Sequence, residues 1–251
     1  MKKIWNPKKS GVGSVAAMCS ALAVNGRLLQ ADDLPHWIDH TLLKPEADTH
    51  AIERLCVEAI YHSFHSVCVN PFWVKRVAES LKSSSVRTCS VIGFPFGAQH
   101  SHCKLQEATQ AMADGADELD MVINLGALKS KMFSVVGDDI MGVARLCREH
   151  QMILKVILET ALLSDAEIKE ACRIAVDAGA HFVKTSTGFV QPGATLHGVR
   201  LMRTAVGDEL GVKASGGISD RETALAMIEA GATRIGTSKG VMIVQKENSS
   251  L

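Results

Sequence analysis

Eight short β-type runs, each followed by a longer stretch with helical spacing, restrict this chain more than any other feature of its sequence. The runs fall at residues 34–39, 66–69, 86–92, 118–123, 153–158, 181–184, 212–215 and 233–236. Between them apolar residues recur at helical intervals, as in Ala51, Leu55 and Ala59 or Ile168, Cys172 and Ala175. Such alternation predicts βαβ units on a parallel sheet. Ser164 with Glu167, and Ser219 with Glu222, read as capping boxes that start helices, while Gly115, Gly179 and Gly231 read as helix ends. Eight units without a Pro-, Gly- or Ser-rich linker favour one closed (β/α)8 TIM barrel of class α/β over an open doubly wound sheet. The barrel is expected over residues 34–251.

Residues 1–33 are expected to form an N-terminal arm, a short helix or partly disordered. Lys2, Lys3, Lys8 and Lys9 precede a mildly apolar stretch, but Trp5 and Pro7 interrupt the basic residues and no clean cleavage site follows, which argues against a signal peptide. No run approaches the roughly 18 apolar residues of a membrane span. Basic and acidic residues both total 27, so no net field draws nucleic acid or an anionic membrane, and a small-molecule partner is the better expectation. Seven scattered cysteines without a C-x-x-C pair fit reduced thiols in the cytoplasm.

Strands of a parallel barrel should be largely apolar, so charges inside them need an explanation. Asp120, Lys155, Lys184 and Lys213 occupy four consecutive candidate strands. Any one lysine alone could snorkel or form a buried ion pair. One carboxylate cannot neutralise three ammonium groups, however, and the surplus favours loss of a proton from one amine. A neutral lysine attacks carbonyls, so the cluster suggests imine chemistry. After the seventh and eighth strands, Ser215-Gly216-Gly217-Ile218 and Gly236-Thr237-Ser238-Lys239-Gly240 open onto helix starts, where barrels commonly hold phosphate; tight turns are the simpler alternative. Thr187 and Gly188, after the sixth strand, add a hydroxyl and a glycine to that end. His100, His102 and Cys103 lack zinc-ligand spacing, and no metal site is expected there or at His40.

The motifs I-D-H-T-L-L-K-P (38–45), V-C-V-N-P (67–71), V-I-G-F-P-F-G (91–97), E-L-D-M-V-I-N-L-G-A-L (118–128), L-K-V-I-L-E-T (154–160), F-V-K-T-S-T-G (182–188), V-K-A-S-G-G-I (212–218) and R-I-G-T-S (234–238) resemble the deoxyribose-phosphate aldolases, a class I aldolase family. The resemblance runs from residue 38 to about residue 244. It implies reversible cleavage of 2-deoxy-D-ribose 5-phosphate to D-glyceraldehyde 3-phosphate and acetaldehyde, with no metal or organic cofactor, by a frequent homodimer. It assigns the Schiff base to Lys184, its electrostatic activation to Lys213 and proton transfer to Asp120. Lys155, Asp39, Thr41 and Cys68 are carried over as supporting residues, and Gly217, Gly236 and Ser238 as phosphate ligands. Two departures stand out. Phe189 replaces the basic residue that some relatives place after T-S-T-G, leaving Lys239 as a compensating cation, and Tyr61 is the only tyrosine, whereas some relatives end in one. Another lysine-dependent sugar-phosphate aldolase, or a silent phosphosugar-binding barrel, are the alternatives.

Overall fold

A computed structural model describes residues 21–24 and 27–245. Two four-residue strands, β1 (Ala21–Val24) and β2 (Arg27–Gln30), pair antiparallel ahead of the barrel. The arm therefore carries a ribbon where a helix was one expectation; the rest of that expectation, residues 1–20, lies outside the described residues. The sequence signal was present, because Asn25-Gly26 between two runs that include Leu22, Val24 and Leu28 is a strong hairpin dipeptide.

Eight parallel strands then close on one another: β3 (Ile38–Leu42), β4 (Ser66–Val69), β5 (Arg87–Ile92), β6 (Glu118–Val122), β7 (Ile153–Ile157), β8 (Phe182–Lys184), β9 (Gly211–Ser215) and β10 (Arg234–Thr237), with β10 pairing back to β3. The first strand starts later than expected. Residues 31–37 form a 3-10 segment containing Pro35, which has no N–H to give a ladder, and the strand begins where that segment ends.

Helices α1 (Thr49–His62), α2 (Val74–Leu81), α3 (Ser101–Ala113), α4 (Leu125–Lys129), α5 (Phe133–Glu149), α6 (Asp165–Asp177), α7 (Leu196–Val206), α8 (Arg221–Glu229) and α9 (Gly240–Val244) fill the connections. Ser164 and Glu167 form the expected reciprocal cap of α6. The cap of α8 is instead Asp220, whose carboxylate accepts from the Thr223 N–H at 2.8 Å; Asp220 is a strong acceptor one residue closer to the helix than Ser219. Gly115, Gly179 and Gly231 all adopt positive φ, and the next residue's N–H returns to a carbonyl in the last turn, as for Ala116 to Ala111 at 3.0 Å.

The strands alternate rather than being apolar throughout. Val67, Leu119, Met121, Leu154, Val156, Val183, Val212 and Ile235 join residues such as Ile52, Val77, Ala108, Val143 and Ile168 of the helices in one large apolar layer outside the sheet. The opposite face of each strand points into the barrel. There the apolar content shrinks to a small cluster of Leu43, Cys68, Cys89 and Val91, leaving the rest of the interior to polar side chains. Folding is driven from the outer layer, which releases the inner positions for chemistry.

Candidate active site

The two-residue period of the strands sets what enters the barrel. Asp39, Glu118, Asp120, Lys155, Lys184, Lys213 and Arg234 are all buried, and their charged ends meet one another. Lys184 and Lys213 sit side by side on β8 and β9, and Asp120 lies opposite Lys155 on β6 and β7.

Asp120 is the hub. Its Oδ2 accepts from Lys184 Nζ and from Lys213 Nζ, each at 2.8 Å, while Oδ1 accepts from Lys155 Nζ at 2.8 Å. Lys155 also reaches Glu118 at 2.6 Å, and Lys213 forms a second, shorter ion pair with Asp39. Arg234 bridges Asp39 at 2.9 Å and Glu118 at 3.1 Å from below. Ser66 donates to Asp39 at 2.7 Å. Thus Asp120 is joined by Asp39 and by Glu118, and four buried cations face three carboxylates. One positive charge remains in surplus.

Burial alone would push the Asp120 carboxyl up, but Lys155, Lys184 and Lys213 together hold it well below the ordinary carboxylate range. Asp39 behaves alike: desolvation is outweighed by Arg234, Lys213 and Lys155. Desolvation would weaken the Lys155 and Lys213 ammonium groups, yet Asp120 and their second carboxylates raise both above the usual lysine value. Lys155 pairs with three carboxylates and Lys213 with two. Lys184 has only one oxygen of Asp120, shared with Lys213, so it is the lysine on which the surplus charge falls.

Lys184 also faces a cavity of about 490 Å³ at the C-terminal ends of the strands, shared with Thr41, Thr187, Gly188, Ser215, Gly216, Gly217, Gly236, Thr237 and Ser238. All seven residues expected at the phosphate end therefore line one cavity with the proposed nucleophile. Gly216 and Gly217 follow one another at φ 86° and 78°, a turn that bares the backbone and that other residues adopt only with strain. Gly236 has a further duty: a Cβ there would lie 2.9 Å from Lys213 Cε, so its hydrogen makes room for that side chain. The Thr237 hydroxyl is already engaged, donating to the Ile218 carbonyl at 2.7 Å and accepting from the Lys239 N–H at 2.9 Å. Thr41 lines the mouth with Lys44, and Cys68 lies deeper, against Cys89.

Sequence reading missed Glu118, Arg234, Cys89 and Glu159. For Glu118 and Arg234 the signal was available, because a period of two puts Glu118 on the face of Asp120 and Arg234 on that of Gly236. His65 also reaches Glu118 at 3.1 Å. His100, His102 and Cys103 are exposed around the start of α3. Among the described residues one group has three potential metal ligands within 4.8 Å, Cys68, Cys89 and Asp120. Three ammonium groups already contact that aspartate, which opposes a further cation.

Residues 36–246 match the model of the DeoC/LacD family aldolases. The chain is 56% identical over 208 residues to a deoxyribose-phosphate aldolase of Brevibacillus brevis, covering 83% of this chain and 93% of that protein. It is 54% identical over 215 residues to one from Thermococcus gammatolerans, covering 85% and 96%. Among solved structures it resembles an aldolase called QR15, with TM-score 0.80 and 44% identity over 84% of this chain and 94% of that one. It also resembles a tetrameric deoxyribose phosphate aldolase from Aeropyrum pernix, with TM-score 0.82 and 33% identity over 88% and 94%.

Proposed function

The chain belongs to the DeoC/LacD aldolase family, and on that premise we propose that it reversibly cleaves 2-deoxy-D-ribose 5-phosphate to D-glyceraldehyde 3-phosphate and acetaldehyde through a Schiff base on Lys184. The observation that carries this reading is the charge imbalance inside the barrel, with Lys184 its least compensated cation and the one that reaches the cavity. In its unprotonated form the Lys184 amine carries the lone pair that attacks a carbonyl.

The amine attacks C1 of the open-chain sugar, and loss of water gives a protonated imine. The C3 hydroxyl then gives up its proton, the C2–C3 bond breaks, and its electron pair moves toward the imine to form an enamine as glyceraldehyde phosphate departs. Protonation at C2 and hydrolysis release acetaldehyde and restore the amine. Asp120, 2.8 Å from Lys184 Nζ, is the group placed to pass protons, while Lys213 and Lys155 keep it anionic between transfers. Lys213 and Asp39 also supply fixed charge beside the reacting nitrogen. The phosphate end meets the Gly216-Gly217 turn and residues 236–238, with Lys44 and Lys239 at the mouth as the nearby cations.

Residues 34–251 act as one catalytic domain in this reading, with 1–33 an arm outside it. The enzyme is cytoplasmic and serves deoxyribose phosphate catabolism: no helix among the described residues is long and apolar enough to cross a membrane, and the six described cysteines are free thiols. It works as a homodimer, supported by the apolar stripe of Val57, Ile60 and Tyr61 exposed on α1. Sodium borohydride added with the sugar phosphate should leave a reduced adduct on Lys184, read by peptide mass mapping. An active preparation with Lys184 unmodified would refute the assignment.

A further inference from the structure

Glu159 has no part in the chemistry above, yet it occupies an unusual place. It lies two residues past the end of β7, at φ 55° and ψ 62°, a left-handed conformation that glycine would adopt without strain and glutamate does not favour. Its side chain is buried. Oε2 accepts from the Thr187 hydroxyl at 2.5 Å and from the Thr187 N–H at 3.2 Å, and the same hydroxyl accepts from the Phe189 N–H at 3.1 Å. Backbone bonds continue the seam, since the Thr160 N–H donates to the Thr185 carbonyl at 2.9 Å. A carboxylate on one strand end thus grips the loop that follows Lys184 on the next. That loop forms one wall of the cavity through Thr187, Gly188 and Phe189, and Phe189 meets Phe94 edge to face across the mouth, ring centres 5.3 Å apart.

We propose that Glu159 is a positioning residue that holds the Thr187–Phe189 loop in the shape that receives the phosphorylated end of the sugar. This rests on the reading of Lys184 as the aldolase nucleophile, and it deepens that reading by dividing the site. The lysine cluster is fixed by its own ion pairs inside the barrel, whereas the phosphate wall is fixed from the neighbouring strand through one carboxylate. Strain in the backbone at Glu159 is retained because the side chain, which glycine lacks, is what the loop needs. The aldehyde donor carries no phosphate and does not need this wall.

The test compares Glu159→Ala, Glu159→Gln, Thr187→Val and the double variant Glu159→Ala/Thr187→Val in the full-length enzyme. Both single truncations should raise KM for the sugar phosphate roughly tenfold to a hundredfold with kcat changed far less. The double variant should be no worse than the poorer single one, because both changes break the same link. Glu159→Gln should recover part of the loss, since its amide oxygen still accepts from Thr187, and it carries the test with Thr187→Val if the alanine variant does not fold. In every variant acetaldehyde with borohydride should label Lys184 as in the parent. Unchanged KM, or additive losses, with normal labelling would overturn the clamp alone; absence of labelling in the parent would overturn the aldolase reading beneath it.

Discussion

Lysine is buried in two kinds of place in this protein. Between α3 and α5, outside the sheet, Lys104 Nζ lies 2.5 Å from Asp139 Oδ2 and 2.9 Å from the Val122 carbonyl, one cation with one carboxylate. Inside the barrel, Lys155, Lys184, Lys213 and Arg234 share Asp39, Glu118 and Asp120. The first arrangement pairs one cation with one carboxylate and a strand carbonyl, which fixes two helices to the sheet, and Asp139 Oδ1 is left without a hydrogen-bond partner. The second has one cation more than its carboxylates balance, and the least compensated of them, Lys184, is the one that faces the cavity. Equal burial therefore gives a structural tie in one case and, in the other, an amine that opens onto the cavity.

The contrast breaks most sharply by substitution. Lys184→Met removes the surplus cation and the nucleophile together, so kcat should fall by roughly 10⁴-fold or more while urea unfolding changes little. Lys104→Met should do the reverse. It strands Asp139 and should cost about 3–5 kcal/mol in urea unfolding, with the activity of the folded fraction kept. A Lys104→Met variant as stable as the parent would remove the distinction.

Acid should separate the barrel cluster next. Asp39, Glu118 and Asp120 all have folded values depressed below 3.8, 4.5 and 3.8, so their contribution is present above about pH 5 and is lost as pH falls through 4 toward 2. Thermal melts should show a loss of about 2 kcal/mol or more by pH 3. At the alkaline end, burial pushes the thiols of Cys56 up to about 11 and of Cys147 and Cys172 up to about 12 from 9.0, so they stabilise below pH 9 and cease to as pH rises toward 12. The smallest change tests the surplus itself. Arg234→Gln leaves three cations against three carboxylates, and kcat/KM should fall by roughly threefold to tenfold. An unchanged kcat/KM would mean the total charge is not what activates the site.

Much of the fold was legible. Strands at 66–69 and 118–122 lie where the β-type runs predicted them, and Gly115, Gly179 and Gly231 mark their helix ends. The misreadings have local causes in hydrogen bonding: Pro35 lacks the N–H that a ladder needs and β3 begins after it, and Asp220 took the cap from Ser219. In the site, charges on strands were visible one by one, as at Asp120 and Lys184. Glu159 left no such trace, because its role depends on a loop 28 positions away and on a backbone angle that its residue type does not announce.

The sequence by itself determined that eight βα units would form, which strand face would be apolar and that lysines would stand on the other, because those properties follow from spacing within a few residues. Only closure of the barrel decided the partners. Arg234 reaches Asp39 across 195 positions when β10 pairs with β3, and Lys213 reaches Asp120 across 93. Electrostatic balance is a sum over neighbours in space, so the surplus that singles out Lys184 exists only once the sheet has joined its own ends.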